Sequence, residues 1–371
     1  MKQFLLNHIK NLYGWKTNRK IVVFSVDDYG NVRLDSKQAL ERMTQAGLKA
    51  KSRFDRFDTL ETKEDLEMLY DTLTSVKDKH GHYAVFTPFA LSSNIDFEQM
   101  AAEGYEVFRH ESLPVTYQKL SQQQAKAYEG TWNLWQEGIA KGLMKPQFHG
   151  REHLNLKVFT EKLARKDSDI LTALQNRSYA AQSTNPYPTI NYTAAFDFWD
   201  PIENKALYDI VKDGLSMFEA VYGYKAEHFM PPTSKISEAI LNQLGALDIR
   251  FVDRGLLHKQ HEGFGKYKTT VNFTGKRSNG NLTVMVRNVV FEPTENDNAV
   301  AQAMQSIEAA FRLHQPAIIS SHRVNFCGHI DPNNRKTGLS ALNTLLKKIV
   351  AKWPDVEFMS SIALCNEIRQ H

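Results

Sequence analysis

The feature that most constrains this chain is the exchange of strand-like and helix-like patterns along its 371 residues. Short β-branched and aromatic runs at Ile21–Gly30, Tyr83–Leu91, Glu227–Met230, Ile249–Val252, Ala317–Ser321 and Val356–Met359 alternate with helical stripes. Those stripes fall at Leu156–Ala164, Ser168–Leu174, Asn204–Tyr222, Lys235–Leu244, Ala299–His314 and Leu339–Ala351. Strands separated by helices pair in parallel, so the pattern predicts an α/β chain built on a parallel sheet, open or barrel-shaped. Less regular stretches give a strand at Tyr105–Arg109, a helix at Ser121–Lys141, a long loop at Ser178–Tyr192 and a strand at Ala194–Trp199. An antiparallel excursion is expected at Tyr267–Val290. No repeat, low-complexity tract or linker divides the sequence, so one domain over residues 1–371 is expected.

Composition narrows the classes of function. Forty-six basic against 42 acidic residues leave a net charge of +4, too small and too dispersed for a nucleic-acid partner. Cys327 and Cys365 lie far apart without metal-ligand spacing, so neither a disulfide framework nor a thiolate metal site is expected. The N-terminal apolar patch is broken by Asn7, His8 and Lys10 and lacks a small-residue cleavage site; residues 1–18 read as an amphipathic lead-in helix. No window approaches the roughly 18 consecutive apolar residues of a membrane span. The expected setting is cytoplasmic, with no membrane partner.

The run Ile21–Gly30 ends on two adjacent carboxylates, Asp27 and Asp28. At the exit of an interior strand such acids repel each other and are poorly solvated, so a cation or a shared proton relieves them. Four polar positions, Asp27/Asp28, His149/His153, Asp253 and His322, fall at expected C-terminal strand ends. That edge is where α/β barrels and doubly wound sheets bind ligands. His149 and His153 are four apart, a spacing that on one helical turn points both imidazoles the same way, toward one cation. Two histidines and a strand-end carboxylate, with room for water, have the composition of an open catalytic metal centre. Glu152 between them is expected in a salt bridge or an outer contact. His322, ending an apolar strand, titrates near the working pH and suits a general acid.

These residues resemble the polysaccharide deacetylases of the NodB-homology type, carbohydrate esterase family 4, as a divergent member. The family's Thr-Phe-Asp-Asp-Gly is similar to Ser25-Val26-Asp27-Asp28-Tyr29-Gly30, with one residue inserted before the glycine. Its His-Ser/Thr-x-x-His is similar to His149–His153, with Gly150 in place of the hydroxyl residue, and its late Leu-x-His is similar to Ser320-Ser321-His322. Where the family has Phe-Arg-Pro-Pro-Tyr, this chain has Phe229-Met230-Pro231-Pro232-Thr233, so the arginine that orients the base and the tyrosine are replaced. The resemblance implies a single-domain (β/α) barrel, distorted or seven-stranded, that deacetylates a carbohydrate at an amide or ester bond. It makes Asp27 the base, Asp28, His149 and His153 the ligands of a divalent ion (Zn2+, with Co2+, Ni2+ or Mn2+ as alternatives), and His322 the acid. Asp253 would be the partner of the missing arginine, adjacent Arg254 its substitute, and the Thr233 N–H a donor to the oxyanion.

Tyr83, Trp132, Tyr187, Tyr192 and Trp199 are candidate sugar-stacking residues. The polar stretch Ser321–Arg335 is a candidate cover for the site, with Arg323, Asn325, His329 and Asp331 as substrate contacts and Cys327 inert. Two other functions compete. One is a barrel glycoside hydrolase using Asp197 or Asp200 with Glu292, which needs two carboxyl groups across a sugar site and no metal. The other is an inactive carbohydrate-binding homologue.

Overall fold

A computed structural model describes residues 7–183 and 190–370. Its strands are β1 Lys20–Tyr29, β2 Phe86–Leu91, β3 Ser93–Ile95, β4 His110–Ser112, β5 Gln147–Gly150, β6 His228–Phe229, β7 Phe251–Asp253, β8 Leu257–Gly263, β9 Lys266–Val271, β10 Thr283–Met285, β11 Val289–Val290, β12 Ala317–His322 and β13 Val356–Met359. Eight of them form one path, β10-β7-β6-β5-β2-β1-β12-β11, and every neighbouring pair in it is parallel. β13 pairs in parallel with the first half of β1, residues Lys20 to Val23. The two ends of the path, β10 and β11, are separated in the chain only by Val286, Arg287 and Asn288. The sheet therefore curls into a distorted barrel whose seam is bridged by that short connection. Helices wrap it, the longest being Asn204–Tyr222 and Pro332–Lys352.

β1 explains why a run of apolar residues forms the central strand. Its side chains alternate between two faces. Val22, Phe24 and Val26 enter the large core, while Ile21 and Val23 enter a smaller one with Ile318, Ile362, Leu364 and Ile368. Each such fully buried side chain contributes about 1.5–3 kcal/mol over an exposed one. A strand buried on both faces and paired on both edges has no register freedom. Asp27 is consequently fixed opposite His322 of β12.

Several expectations are corrected. The excursion expected at Tyr267–Val290 is an antiparallel hairpin of β8 and β9, after which β10 and β11 rejoin the parallel sheet. Ala194–Trp199 is no strand; its turns are held by the Asn155 side chain, which donates to the carbonyls of Ala194 (3.0 Å) and Asp197 (2.8 Å). Gly104 and Tyr105 both have positive φ, so a turn replaces the strand expected there, and the pairing segment is β4, antiparallel to β3. The helix expected at Ser121–Lys141 is broken at Gln124 (φ −136°) and at left-handed Gly130 (φ 78°), which separate Leu113–Gln123, Ala125–Tyr128 and Thr131–Ala140. Within the lead-in segment only residues 7–9 of those described are helical; residues 1–6 lie outside the described residues. The loop Ser178–Tyr192 is described except for residues 184–189. No helix among the described residues is long and apolar enough to cross a membrane.

Candidate active site

At the end of β1 the chain departs from a regular strand. The pairing register with β2 shifts between Val26 and Tyr29, and Asp28 takes a left-handed backbone, φ 73°. A bulge of this kind turns neighbouring side chains away from each other, and aspartate is among the few residues that tolerate the left-handed region. Asp27 and Asp28 are both buried, yet they serve different neighbourhoods. The conformation costs on the order of 1–3 kcal/mol, a strain that persists where the surroundings enforce it. Here the surroundings are Gly30, whose N–H reaches Glu61 and whose carbonyl accepts from the Asn94 side chain (2.9 Å).

Asp28 faces two histidines. His149 lies on β5 and His153 in the loop beyond it, so the expected helical turn is absent; Gly150, at φ 138°, reverses the chain and brings the second imidazole back. His149 Nε2 is 3.3 Å and His153 Nε2 3.1 Å from the same Asp28 Oδ1. His149 Nδ1 lies 2.7 Å from the Met230 carbonyl and must donate to it, which leaves Nε2 of the neutral ring a bare lone pair facing a carboxylate. His153 Nδ1 is buried without a partner. The His149 lone pair against a carboxylate is repulsive unless a cation or an extra proton stands between them. The separations match the roughly 3.3 Å edge of a tetrahedron with metal–ligand bonds of about 2.0–2.1 Å. Burial alone would raise the pKa of Asp28, but the bonds to His149 and His153 outweigh it and hold the carboxyl well below its ordinary range. The donor set, two imidazoles and one carboxylate, fits a divalent cation. Glu152 points away and is paired with Arg151 at 2.6 Å.

Asp27 faces a guanidinium. Arg287, in the connection across the seam, donates from both terminal nitrogens to the two Asp27 oxygens (2.8 Å each) and from Nε to Asp253 (2.7 Å). Asp253, at the end of β7, also meets His228 Nε2 at 3.1 Å, and His228 Nδ1 lies 3.2 Å from the Ser361 hydroxyl. Burial pushes the Asp253 carboxyl up, but the charges of Arg287 and His228 prevail and lower it. Arg254, the expected substitute, is directed elsewhere, to Gln260 and Glu238. The arginine absent at position 230 is thus matched by one contributed from a different strand connection.

His322 completes the group. Its Nε2 is 3.9 Å from Asp27 and its Nδ1 2.7 Å from Glu292. Burial lowers its pKa, but the hydrogen bond and charge of Glu292, with Asp27 and Asp28 behind, raise it to about 9. Glu292 is itself held by Arg53 and by Asn325 Nδ2 (2.7 Å). The Phe54 ring stands edge-on to His322, 5.3 Å between centroids. Arg33, Arg53, Phe54 and Arg287 went unnoticed in the sequence because nothing in their local pattern distinguishes them, and Glu292, singled out as a glycoside-hydrolase carboxylate, instead holds His322.

A cavity of about 540 Å3 opens onto Asp27, Asp28, His149, His153 and His322. Thr233 and Ser234 also line it, at the left-handed turn (φ 56° and 58°) after Pro231-Pro232. Other candidates lie apart from it. Arg323 is buried against Asp58 and Glu61, and Asn325 props Glu292, so the Ser321–Arg335 stretch begins as a buried 3-10 turn, no cover. His329 bonds Gln124, Asp331 caps the Pro332–Lys352 helix, and Cys327 is buried, its thiol donating to the Thr59 carbonyl. Trp132 packs in the core on Tyr117 and Trp135; Trp199 meets Phe264; Tyr83 meets Lys77; Tyr187 lies outside the described residues. Tyr192 reaches Arg33 and Asp55 with its hydroxyl. Of the carboxylates required by a glycoside hydrolase, Asp197 is bound to His261 at 2.7 Å, Asp200 caps Pro201–Glu203, and neither lines the cavity.

No family model matches the sequence, and no curated protein matches it. Among solved structures, the chain is similar to a 4-α-glucanotransferase from Thermococcus litoralis, with 9% identity over 94% of this chain and a TM-score of 0.46. It spans only 40% of that protein's length. It is similar to a peptidoglycan deacetylase from Bacillus subtilis, with 11% identity over 95% of this chain and 93% of the other and a TM-score of 0.36. It is also similar to a CE4 family pseudoenzyme from Bacillus anthracis, with 12% identity over 94% of this chain and 66% of the other and a TM-score of 0.38. Solved structures similar to this chain therefore include deacetylases and members of carbohydrate esterase family 4.

Proposed function

We propose that the chain is a metal-dependent hydrolase that removes an acetyl group from an N- or O-acetylated carbohydrate, acting as one domain. The observation that carries this function is the division of labour at the end of β1: adjacent carboxylates in one cavity, one facing two imidazoles and the other a guanidinium and a third imidazole. The motif resemblance at Asp27, Asp28, His149, His153 and His322 supports the same assignment.

Asp28, His149 and His153 are assigned to hold the cation. When bound there, a divalent ion polarises an acyl carbonyl and acidifies a water molecule. Asp27, oriented by Arg287, accepts the proton of the attacking water. The Thr233 N–H, on a turn that borders the cavity, is assigned to the oxyanion. His322, charged at neutral pH through Glu292, donates its Nε2 proton to the departing amine or alkoxide. The alternative of a catalytically inactive carbohydrate-binding homologue rests on the altered third motif; the contact of Arg287 with Asp27 supports the active reading instead.

The test is metal content together with acetate release. We expect Asp28→Ala and His149→Ala to purify with less bound zinc than wild type, and Asp27→Ala to retain zinc while releasing no acetate from acetylated sugars. Equal metal in wild type, Asp28→Ala and His149→Ala would overturn the ligand assignment.

A further inference from the structure

One wall of the cavity is not needed for hydrolysis. It is formed by Arg33, Ser52, Phe54, Asn191 and Thr193. Arg33 is the only arginine or lysine among the described lining residues, and its side chain is 12% exposed. Its position is fixed from both sides. The Val32 N–H donates to Asn94 Oδ1 (2.7 Å), the Arg33 carbonyl accepts from the Tyr179 N–H (3.1 Å), and Tyr179 also donates its hydroxyl to Asn31 (2.8 Å).

The guanidinium itself is only partly used. One terminal nitrogen donates to Asp55 (2.8 Å) and to the Tyr192 hydroxyl (3.3 Å), and its face lies 5.5 Å from the Phe54 ring centre. Nε is buried and has no partner. Asp55 cannot do more for Arg33, because its oxygens also accept from the Ser52 hydroxyl (2.7 Å), the Ala181 N–H (3.1 Å) and Tyr192 (3.4 Å). Closed off from solvent, Nε is not the atom a ligand would meet; the donor that Arg33 can offer to the cavity is its second terminal nitrogen, which has no partner among the described residues. The other cationic groups near the cavity are already committed, Arg287 to Asp27 and Asp253, His322 to Glu292.

Resting on the hydrolase function above, we infer that Arg33 is a specificity residue for acylated sugars that carry a carboxylate. A guanidinium with an uncommitted terminal nitrogen offers a charge-assisted hydrogen bond to a carboxylate oxygen. A single charge suits it better than a phosphate dianion, since Asp55 already offsets part of its charge.

The experiment compares 2-acetamido-2-deoxyglucuronic acid with N-acetylglucosamine, which differs from it by a hydroxymethyl group in place of the carboxylate, and with N-acetylglucosamine 6-phosphate. Acetate release is measured for wild type, Arg33→Gln and Arg33→Lys, and binding of the uronic acid is measured by calorimetry. We expect wild type to favour the uronic acid over the neutral sugar by roughly ten- to hundredfold in kcat/KM, mainly through KM. Arg33→Gln should abolish that ratio and Arg33→Lys restore part of it. Equal use of acid and neutral sugar by wild type, a preference for the phosphate, or an unchanged ratio in Arg33→Gln would overturn the inference. Should no sugar release acetate, the hydrolase function fails separately, and calorimetry still decides this proposal: uronic acid binding to wild type and not to folded Arg33→Gln supports it, and the lack of such a difference overturns it. The wild-type ratio needs no variant, so a misfolded Arg33→Gln leaves the test intact.

Discussion

Replacing Arg287 with methionine removes one charge from the centre of the site while keeping most of the side chain's length. The guanidinium is shared between Asp27 and Asp253, with contacts of 2.8 Å to the first and 2.7 Å to the second, and all three side chains are buried. Breaking a buried ion pair costs about 3–5 kcal/mol, and one cation serving two acids puts this case near the upper end, about 5 kcal/mol at neutral pH. With a urea dependence of about 3 kcal/mol per molar for a chain of this size, the unfolding midpoint should fall by roughly 1.5 M. The pH dependence has a definite sign. In the native chain Asp253 has a lowered pKa, so its contribution is present above its ordinary value of 3.8 and is lost as pH falls through the depressed value. Without Arg287, burial raises the Asp253 pKa, and protonation relieves the stranded charge as pH falls. The deficit is therefore largest near neutrality and shrinks toward about pH 5. Urea unfolding followed by tryptophan fluorescence at about pH 7.5 and about pH 5 measures it, with Arg287→Met/Asp253→Asn expected to recover part of the loss. Acetate release should drop by about 100-fold or more, because Asp27 loses its orientation. An unchanged midpoint, or a deficit that grows on acidification, would refute the role given to this arginine.

Two other outcomes follow from the same geometry. Glu292→Gln removes the anion that raises His322 to about 9, so the alkaline limb of the pH–rate profile should move to lower pH; in stability terms the wild-type pair contributes fully below pH 6.5 and loses that contribution as pH rises through about 9. Gly214→Ala places a Cβ 2.8 Å from Arg151 Cβ and 2.9 Å from the Phe148 ring, beneath the end of β5, and should cost about 1–3 kcal/mol in thermal or urea unfolding while weakening zinc retention through His149.

The parts of the fold legible in the sequence were those governed by local periodicity. Leu156–Ala164, Asn204–Tyr222 and Val356–Met359 have the bounds that their apolar spacing indicates, because each buries a single continuous stripe or run. Ala194–Trp199 looked like a strand because its apolar residues are buried, but they are buried in turns organised by Asn155. Periodicity cannot report a side-chain clamp of that kind. At the site, Asp27, Asp28, His149, His153 and His322 were visible as polar interruptions of apolar runs. The helical reason for pairing the histidines was wrong, since a glycine reversal does the work, yet the two rings still meet. Arg287 was invisible: it lies 260 residues from Asp27 in a stretch that reads as part of an antiparallel excursion, and only closure of the sheet brings the two together. Arg254 was the natural candidate by adjacency, but strand alternation turns it away from Asp253 toward Glu238.

The seam of the barrel has one more consequence. Val286 is tied to Thr274, Asn288 to Pro316 and Ile318, and Arg287 sits between these two anchors. The connection that joins the sheet's two edges is thus the same three residues that hold the carboxylate of β1 in place. Mechanical integrity and chemical competence share one clasp. On the proposed function, a local opening there would leave Asp27 without its arginine, so acetate release is expected to fall before the chain unfolds globally, and amide exchange at residues 286–288 measured beside acetate release checks it.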